Sequence, residues 1–353
     1  MKCYWKKIIA FGLLITLISS SFTACSSRKD DSNKEVDIVI GTANGSLCLA
    51  PLHIAIDNGY FKEEFENAGI TWRLEEIDMS TIGDLVASDK IDASTQLAGA
   101  MIPQIDSGLE IQFTGGIHTG CTKIYVKKDA LINTLSDFKG KKIGVPGIGD
   151  SAVIALKRAL YDLGIGVTAD NLEVEWVVYS LTDLPLALEN GAVDVVALHD
   201  PVAYNAEAEY GFKKILDLST DEKFKDEYCC MSFVTTKLAK ENPEASAAYT
   251  RAILKASAFV QANPKEAARL QIDNGQCSGD LEINATLLSS YNYNPAVSAA
   301  YQTIYDAANE LIRIGEVKSV GDVDEFTKKA FATFDGVPDS YIYNEDGTFT
   351  KVN

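Results

Sequence analysis

Short apolar segments with strand-like spacing alternate with longer helical segments through the first two thirds of this chain. In the first series the strand-like segments are residues 36–41, 71–77 and 91–95, and the helical ones are residues 49–68 and 82–88. Such alternation predicts an α/β fold in which helices cover mostly parallel sheets. The chain of 353 residues is long enough for two lobes of ordinary domain size.

A second series begins with a strand, a glycine turn and a helix. Residues 143–145 form an apolar strand core, Pro146 and Gly147 end it, and Asp150 or Ser151 can cap the helix that follows. The first N–H groups of a helix have no backbone partner, so this turn suits a sulfonate, carboxylate or phosphate. An ordinary strand-to-helix turn explains the same residues, and the sequence leaves both interpretations open.

Further strands are expected in the second series, and helices dominate afterwards. The expected strands are residues 111–113, 123–127, 142–145, 172–179, 193–198, 213–218 and 229–235. The later helices are expected at residues 243–263, 264–273, 281–289, 296–314 and 323–331.

The first 24 residues have the pattern of an export signal. Three lysines precede an apolar run at residues 8–18, which is shorter than the ~20 residues needed to span a bilayer. Small residues before Cys25 resemble a bacterial lipobox, although Phe22 stands where an aliphatic residue is usual. We therefore expect a diacylglyceryl group on Cys25, with a plain secretory signal as the alternative. Residues 25–35 contain no apolar residue after Cys25 and are typical of a flexible tether.

Charge and cysteine content exclude some classes of function. A formal net charge of −18 argues against a nucleic-acid partner, since phosphate binding needs a basic face. After Cys25 the chain has five cysteines and no CxxC pair, which argues against a disulfide framework and a structural zinc site. We predict no metal and no cofactor. The alternative is a zinc or copper site in which six residues approach one another around the cleft: Cys48, Cys121, Cys229, Cys230, His118 and His199.

Several separated motifs, taken in order, resemble the solute-binding proteins of nitrate, sulfonate and taurine ABC importers, a class that includes binders of thiamine-pyrimidine precursors. The motifs are APLHIA (50–55), NGYF (58–61), DLVASDKID (84–92), LSDFKGKKIG (135–144), GAVD (191–194) and the Asp200–Pro201 pair. The resemblance covers residues 36–262.

This resemblance implies a periplasmic-binding-protein (type 2) fold, with two α/β lobes joined by two hinge strands and the ligand between them. We place the hinge strands at residues 121–127 and 229–235. Lobe 1 is expected at residues 36–128, lobe 2 at 129–226, and the return to lobe 1 with C-terminal helices at 227–335, before a tail at 336–353. The implied partners are a small solute and an ABC permease. A monomer held at the outer face of the cell membrane by its lipid is expected.

Loops that follow the strands of open α/β sheets meet at the ligand, so the resemblance implies candidate ligand-binding residues there. These are Asn44, Ser46, Gln96, His118, Thr119, Gly120, Cys121, Ser151, Ala152, His199, Tyr204 and Tyr228. Local capping is the alternative for Asn44 and Ser46, and a structural role is the alternative for His118. His199 replaces the aromatic residue usual before the Asp–Pro pair, which leaves ligand stacking in doubt and makes a polar contact plausible.

The expected function is capture of a sulfonate-like organic anion and its delivery to an importer. The alternative ligand is a flat heterocycle like a thiamine pyrimidine. A related eukaryotic enzyme makes that pyrimidine from its own histidine and pyridoxal phosphate on the same fold, and Cys229–Met231 faintly resembles its cysteine motif. An exported lipoprotein with neither a serine nucleophile elbow nor an HExxH motif is expected not to be an enzyme.

Overall fold

The computed structural model describes residues 36–353, which contain two five-stranded sheets. Strands of the first sheet, in spatial order, are β2 (Trp72–Glu76), β1 (Ile38–Thr42), β3 (Ala93–Leu97), β12 (Tyr228–Thr235) and β4 (Ile111–Thr119). Strands of the second sheet are β11 (Lys213–Asp217), β5 (Thr122–Val126), β10 (Val195–His199), β6 (Lys142–Val145) and β9 (Glu175–Val178).

Each sheet is mixed, with one strand reversed. In the first sheet β12 runs antiparallel to both its neighbours, β3 and β4, whereas β1 pairs in parallel with β2 and β3. In the second sheet β5 runs antiparallel to β10 and β11, and β6 pairs in parallel with β9 and β10. Four strands of each sheet therefore point the same way, which confirms the expected α/β class.

The chain crosses between the two sheets at two places. Gly120 and Cys121 connect the end of β4 to the start of β5, and residues 218–227 connect the end of β11 to the start of β12. At each crossing the chain leaves one sheet from its carboxyl edge. It then enters the other sheet as the reversed strand, which starts beside the carboxyl edge of that second sheet. The two carboxyl edges consequently face each other, and loops from both sheets meet between them.

Helices cover both sheets and form a C-terminal layer. Those before β12 are α1 (Ala50–Asp57), α2 (Tyr60–Ala68), α3 (Ile82–Ala87), α4 (Ala98–Asp106), α5 (Ser151–Asp162), α6 (Leu184–Glu189) and α7 (Val202–Tyr210). The later ones are α8 (Thr236–Glu241), α9 (Pro243–Ala262), α10 (Pro264–Asp273), α11 (Leu281–Ser290), α12 (Val297–Ile314) and α13 (Val323–Ala330). The long helix α9 is buried along most of its length against α1, α2 and β4.

Two expected elements are divided in the structure. The helix predicted over residues 49–68 breaks at Asn58 and Gly59, because Gly59 adopts φ +74°, a left-handed conformation that ends one helix before the next begins. The strand predicted over residues 172–179 starts only at Glu175. Its first residue, Leu172, belongs instead to a small hairpin of β7 (Val167–Thr168) and β8 (Asn171–Leu172).

Residues near the C-terminus form a second hairpin, β13 (Ser340–Tyr343) and β14 (Phe349–Val352). Tyr341 is buried, and Phe349 packs edge-to-face against Tyr60 of α2. Within residues 36–353, no helix is both long and apolar enough to cross a membrane. The expected signal peptide, the tether and Cys25 lie outside the described residues.

Candidate functional site

Cysteine and histidine side chains meet where the two carboxyl edges face each other. Cys48 lies in a 3₁₀ turn that leads into α1, His118 is near the end of β4, and Cys230 is near the start of β12. The Sγ atoms of both cysteines and a ring nitrogen of His118 all lie within 4.8 Å of one another. Three residues separated by about 70 and 110 positions in sequence thus form one polar cluster in the first sheet.

The second sheet adds further groups beside this cluster. Cys121, at the first crossing, places its Sγ 3.2 Å from the Sγ of Cys229 and 4.0 Å from Nδ1 of His199. His199 ends β10 and pairs in register with Thr122, which starts β5. We call the set of Cys48, His118, Cys121, Cys229, Cys230 and His199 the thiol–imidazole cluster.

His118 is held rigidly and has one nitrogen without a partner. Its ring stacks on Tyr291 at 5.2 Å between centroids and lies 5.0 Å from Tyr293. Nδ1 donates to the carbonyl oxygen of Thr119 at 2.9 Å. A carbonyl can only accept, so Nδ1 carries the proton and Nε2 presents its lone pair. Among the described residues, this buried Nε2 has no hydrogen-bond partner.

His199 and Asp150 form a buried ion pair. Nε2 of His199 lies 2.9 Å from Oδ1 of Asp150, and Nδ1 lies 2.9 Å from the hydroxyl of Thr122. Burial opposes the charge on His199, but the charge of Asp150 and its hydrogen bond outweigh burial and raise the pKa of His199 to about 9. The same pairing lowers the pKa of Asp150 despite the burial of its carboxyl group. His199 is therefore an imidazolium at neutral pH.

Mutual hydrogen bonds among the thiols favour thiolates at two positions. The hydrogen bond with Cys121, followed by that with Cys230, lowers the pKa of Cys48 well below its ordinary value. The hydrogen bond with Cys121 likewise lowers the pKa of Cys229, while the pKa of Cys121 is raised. Thiolates are nucleophiles and metal ligands, whereas neutral thiols are poor at both. The cluster can therefore supply soft, negatively charged sulfur.

The start of α5 lies directly against the first sheet. Asp150 caps this helix, since its Oδ1 accepts from the N–H of Ala152 at 2.8 Å. A methyl group placed on Gly99, at the start of α4, would stand 3.4 Å from Cβ of Ser151. The hydroxyl of Ser151 is buried and has no partner within residues 36–353. A cavity of about 50 Å³ is lined there by Gly99, Gly120, Ser151, Tyr228 and Cys229, among others.

Residues expected to bind ligand fall into two groups. His118, Thr119, Gly120, Cys121, Ser151, Ala152, His199 and Tyr228 lie at the facing edges and are buried. Four others are less available for contact with a ligand between the sheets. Asn44 is exposed, and Tyr204 is 37% exposed on α7. Ser46 donates to the Sγ of Cys48 at 3.5 Å, and both amide atoms of Gln96 are hydrogen-bonded to backbone groups. Ligand contact by any of the twelve stays a prediction.

Tyr228 is held by packing as well as by its position. Its hydroxyl donates to the carbonyl oxygen of Asn294 at 2.6 Å, and its ring covers Gly116, where an added Cβ would come within 2.5 Å of the ring. The Asp200–Pro201 pair precedes α7, and Oδ1 of Asp200 accepts from the N–H of Tyr204. Asp200 also pairs with Lys123 and accepts from the hydroxyl of Tyr291 at 3.0 Å.

Cys48, Cys229, Cys230, Asp150 and Tyr291 belong to the site but were not expected among its ligand-binding residues. The sequence groups the cysteines only in the alternative metal site, because no two of them have the close spacing of a sequence-local metal motif. The structure assembles this cluster from four strand ends and a 3₁₀ turn. Their positions at predicted strand ends were the available signal. Asp150 was expected to cap α5, and the structure shows that it also pairs with His199.

Comparison with known proteins places this geometry in a family. The model of the NMT1/THI5-like family matches residues 48–267. The chain belongs to this family. A Bacillus subtilis protein named as a putative aliphatic sulfonates-binding protein is 25% identical over 271 residues, which cover 76% of this chain and 78% of that protein.

Two further relatives show the range of the NMT1/THI5-like family and of its fold. An Aspergillus parasiticus protein named 4-amino-5-hydroxymethyl-2-methylpyrimidine phosphate synthase is 26% identical over 64% of this chain and 66% of its own length. The solved structure of the Escherichia coli periplasmic aliphatic sulphonate binding protein has a TM-score of 0.66 at 17% identity, covering 84% of this chain and 92% of that one. This confirms the periplasmic binding protein fold.

Proposed function

We propose that this protein is an extracytoplasmic solute-binding protein that captures a small organic anion between its two lobes and delivers it to an ABC importer. The main support for this proposal is that the carboxyl edges of both sheets face each other, so that the start of α5 adjoins the start of α4. Helix starts supply unpaired N–H groups and partial positive charge to an anion. Family membership and the name of the Bacillus relative support this class of function.

A sulfonate is the preferred solute class on chemical grounds. The Ser151 hydroxyl is a buried hydrogen-bond donor at the facing edges, and it has no partner among the described residues. Both ring nitrogens of His199 are engaged, by Asp150 and Thr122, so His199 fixes Asp150 at the start of α5 and does not itself donate to the solute. Buried donors bind a compact anion strongly because water does not compete for them. Arg158 lines the cavity beside Ser151, but its guanidinium is already paired with Glu227 and Glu310. A small anion held by single hydrogen bonds is therefore the better fit.

The proposal includes two lobes that close on the solute. The sequence places residues 36–128 with 227–335 in one lobe, residues 129–226 in the other, and hinge strands at residues 121–127 and 229–235. Because β5 lies in the second sheet, the first boundary moves back to the first crossing, and we propose that the two crossings, at Gly120 and Cys121 and at residues 218–227, act as the hinges. Closure is driven by contacts that both lobes make to one solute. A diacylglyceryl group on Cys25 and the tether to residue 35 keep the protein beside its permease, since two acyl chains anchor firmly. Mass spectrometry of the mature N-terminus tests this anchor, and an unmodified terminus disproves it.

A thermal-shift screen tests the proposed solute class. Alkanesulfonates, taurine, nitrate, pyrimidines, amino acids and sugars are added separately to the purified protein. A sulfonate at one hundred times its dissociation constant is expected to stabilise the fold by ~2.7 kcal/mol and to raise the unfolding temperature. Stabilisation by amino acids or sugars alone contradicts the proposal.

A pyrimidine-like heterocycle is the second candidate, and the aromatic surroundings of His118 favour it. Tyr291 stacks on His118, and Tyr293 lies next to both rings at a tilt of about 50°, so that aromatic surface adjoins the thiol–imidazole cluster. The same thermal-shift screen separates the two ligand classes. Conversion of added pyridoxal phosphate to a pyrimidine product would instead establish an enzyme, as the names of the fungal relatives suggest.

A further inference from the structure

Three donor atoms in the thiol–imidazole cluster have the composition and spacing of a metal site. The Sγ atoms of Cys48 and Cys230 and a nitrogen of His118 lie within 4.8 Å of one another. Tetrahedral zinc with Zn–S bonds of ~2.3 Å holds its sulfur ligands ~3.8 Å apart, so a small contraction satisfies the ion. We propose that Cys48, His118 and Cys230 bind a thiophilic cation, for which Zn²⁺ is the reference ion.

The unpartnered nitrogen of His118 is the second observation behind this proposal. His118 is completely buried, and its Nδ1 is fixed as a donor to Thr119. A histidine that ligates metal through Nε2 characteristically donates its other N–H to a carbonyl or carboxylate, which fixes the ring and its tautomer. The buried Nε2 lone pair would otherwise cost free energy, because none of residues 36–353 donates to it. A cation at the cluster satisfies it.

Charge balance favours the same assignment. Metal binding requires thiolate and releases protons to solvent. Two thiolates balance the charge of a divalent cation, so the buried site becomes neutral when it is occupied.

The chain also offers a fourth ligand and tight support for the site. The Sγ of Cys121 belongs to the same thiol–imidazole cluster and lies 3.2 Å from the Sγ of Cys229. It can complete the tetrahedron, or it can leave that position open to a solute, as in three-ligand zinc sites. Two sulfurs with one imidazole form a soft ligand set that discriminates against Mg²⁺ and Ca²⁺. Binding of the cation at this site does not depend on capture of an organic anion.

Zinc titration of the purified chain tests the proposal. The protein is reduced, stripped of metal with a chelator and titrated with Zn²⁺ against a chromophoric chelator, with phosphine reductant present to keep Cys121 and Cys229 from forming a disulfide. We expect one equivalent to bind. Cys48→Ser, His118→Gln and Cys230→Ser are each expected to weaken binding by at least about tenfold.

Cys277→Ser is the matched control variant. Cys277 is also a buried free cysteine, but its Sγ contacts the carbonyl oxygen of Ser278 and the side chain of Asn284, outside the three-donor set. Its Zn²⁺ affinity is expected to equal that of the wild type. Equal weakening in this variant, or unchanged binding in the three ligand variants, overturns the assignment.

A measurement on the wild-type protein covers the case in which a variant does not fold. X-ray absorption of the zinc-loaded chain is expected to show at least two sulfur neighbours at ~2.3 Å and one imidazole nitrogen at ~2.0 Å. A shell made of oxygen alone, or the absence of tight zinc binding, refutes the site. Because no sulfonate is used, failure here leaves the proposed solute capture standing, and failure of the sulfonate screen leaves the metal site standing.

Discussion

Gly120 shows how a single residue can control the approach of the two sheets. It lies at the first crossing with φ +26°. A Cβ atom built there would stand 2.4 Å from the backbone nitrogen of Ser219, in the second crossing. The two crossings therefore pass each other at a distance that only glycine permits.

Substitution of Gly120 by alanine is expected to destabilise the protein by about 2–4 kcal/mol, because the new methyl group meets rigid backbone and the φ angle becomes strained. The free energy of unfolding from denaturant titration measures the effect. Gly149→Ala is the control, since no atom lies within 4 Å of the added Cβ and its φ is not positive. That variant is expected to change stability by less than about 1 kcal/mol. Equal effects in the two variants would contradict the close crossing.

The sequence predicted some residues of the site and could not predict others. His118, Cys121 and His199 were expected at the ends of strands, and the structure brings them close together. Cys48 and Cys230 are expected beside them only in the alternative metal site. They join them because β4 and β12 are neighbours in the first sheet and the turn before α1 reaches the same edge. Strand order is a long-range property, and neither spacing nor periodicity in the sequence encodes it directly.

Ion pairs join the helices α2 and α9. Glu64 of α2 is 7% exposed, and its carboxylate bonds to Arg251 at 2.6 Å and to Lys255 at 2.7 Å. Burial alone would raise the pKa of Glu64, but the hydrogen bonds and charges of Lys255 and Arg251 outweigh it and lower the pKa. A carboxyl group whose pKa is lower in the folded state stabilises the fold above its unfolded pKa.

Glu64→Gln is expected to lower the free energy of unfolding by about 2 kcal/mol at pH 7, since the two cations lose a buried partner. The difference from the wild type should be constant above pH ~4.3, the ordinary glutamate value, and should shrink as pH falls through the lowered pKa. Denaturant titrations across this pH range measure it.

Glu66→Gln on the same helix is the matched control. Glu66 is 65% exposed in its contact with Lys62, so its loss should cost no more than about 0.5 kcal/mol at any pH. A pH-independent difference for Glu64→Gln would mean that the residue acts through packing rather than through its charge.

Most elements were predictable because their local signals agree with their packing. The helix after the glycine turn starts at Ser151 with Asp150 as its cap, as expected from the sequence. The predicted elements were wrong at two places. Gly59 divides the helix that was expected over residues 49–68, and the β7–β8 hairpin takes Leu172 from the strand that was expected over residues 172–179. Glu173 belongs to that hairpin region, and its N–H bonds to the carbonyl oxygen of Gly166, which removes it from the expected strand.

On the scale of the whole molecule, Ser151 lies where one lobe meets the other. It starts α5 on the second sheet, it is 8% exposed, and it adjoins Gly99 at the start of α4, the helix that follows β3 of the first sheet. A large side chain at this position is expected to push the start of α5 away from α4 and so to separate the lobes. This position therefore separates solute capture, which needs closed lobes, from folding, which does not.

Ser151→Trp is expected to abolish binding of the best-stabilising sulfonate while costing no more than about 1–3 kcal/mol of stability, the usual cost of overpacking. Calorimetric titration measures the binding, and small-angle scattering measures the radius of gyration. The radius should fall when sulfonate is added to the wild type, because hinge closure compacts the molecule, and should not change in the variant. Tyr161→Trp is the control, because it places the same side chain on α5 at a position already 37% exposed. If Ser151→Trp bound sulfonate as tightly as this control does, the solute would have to lie away from the start of α5, and the two sheet edges would no longer define the binding site.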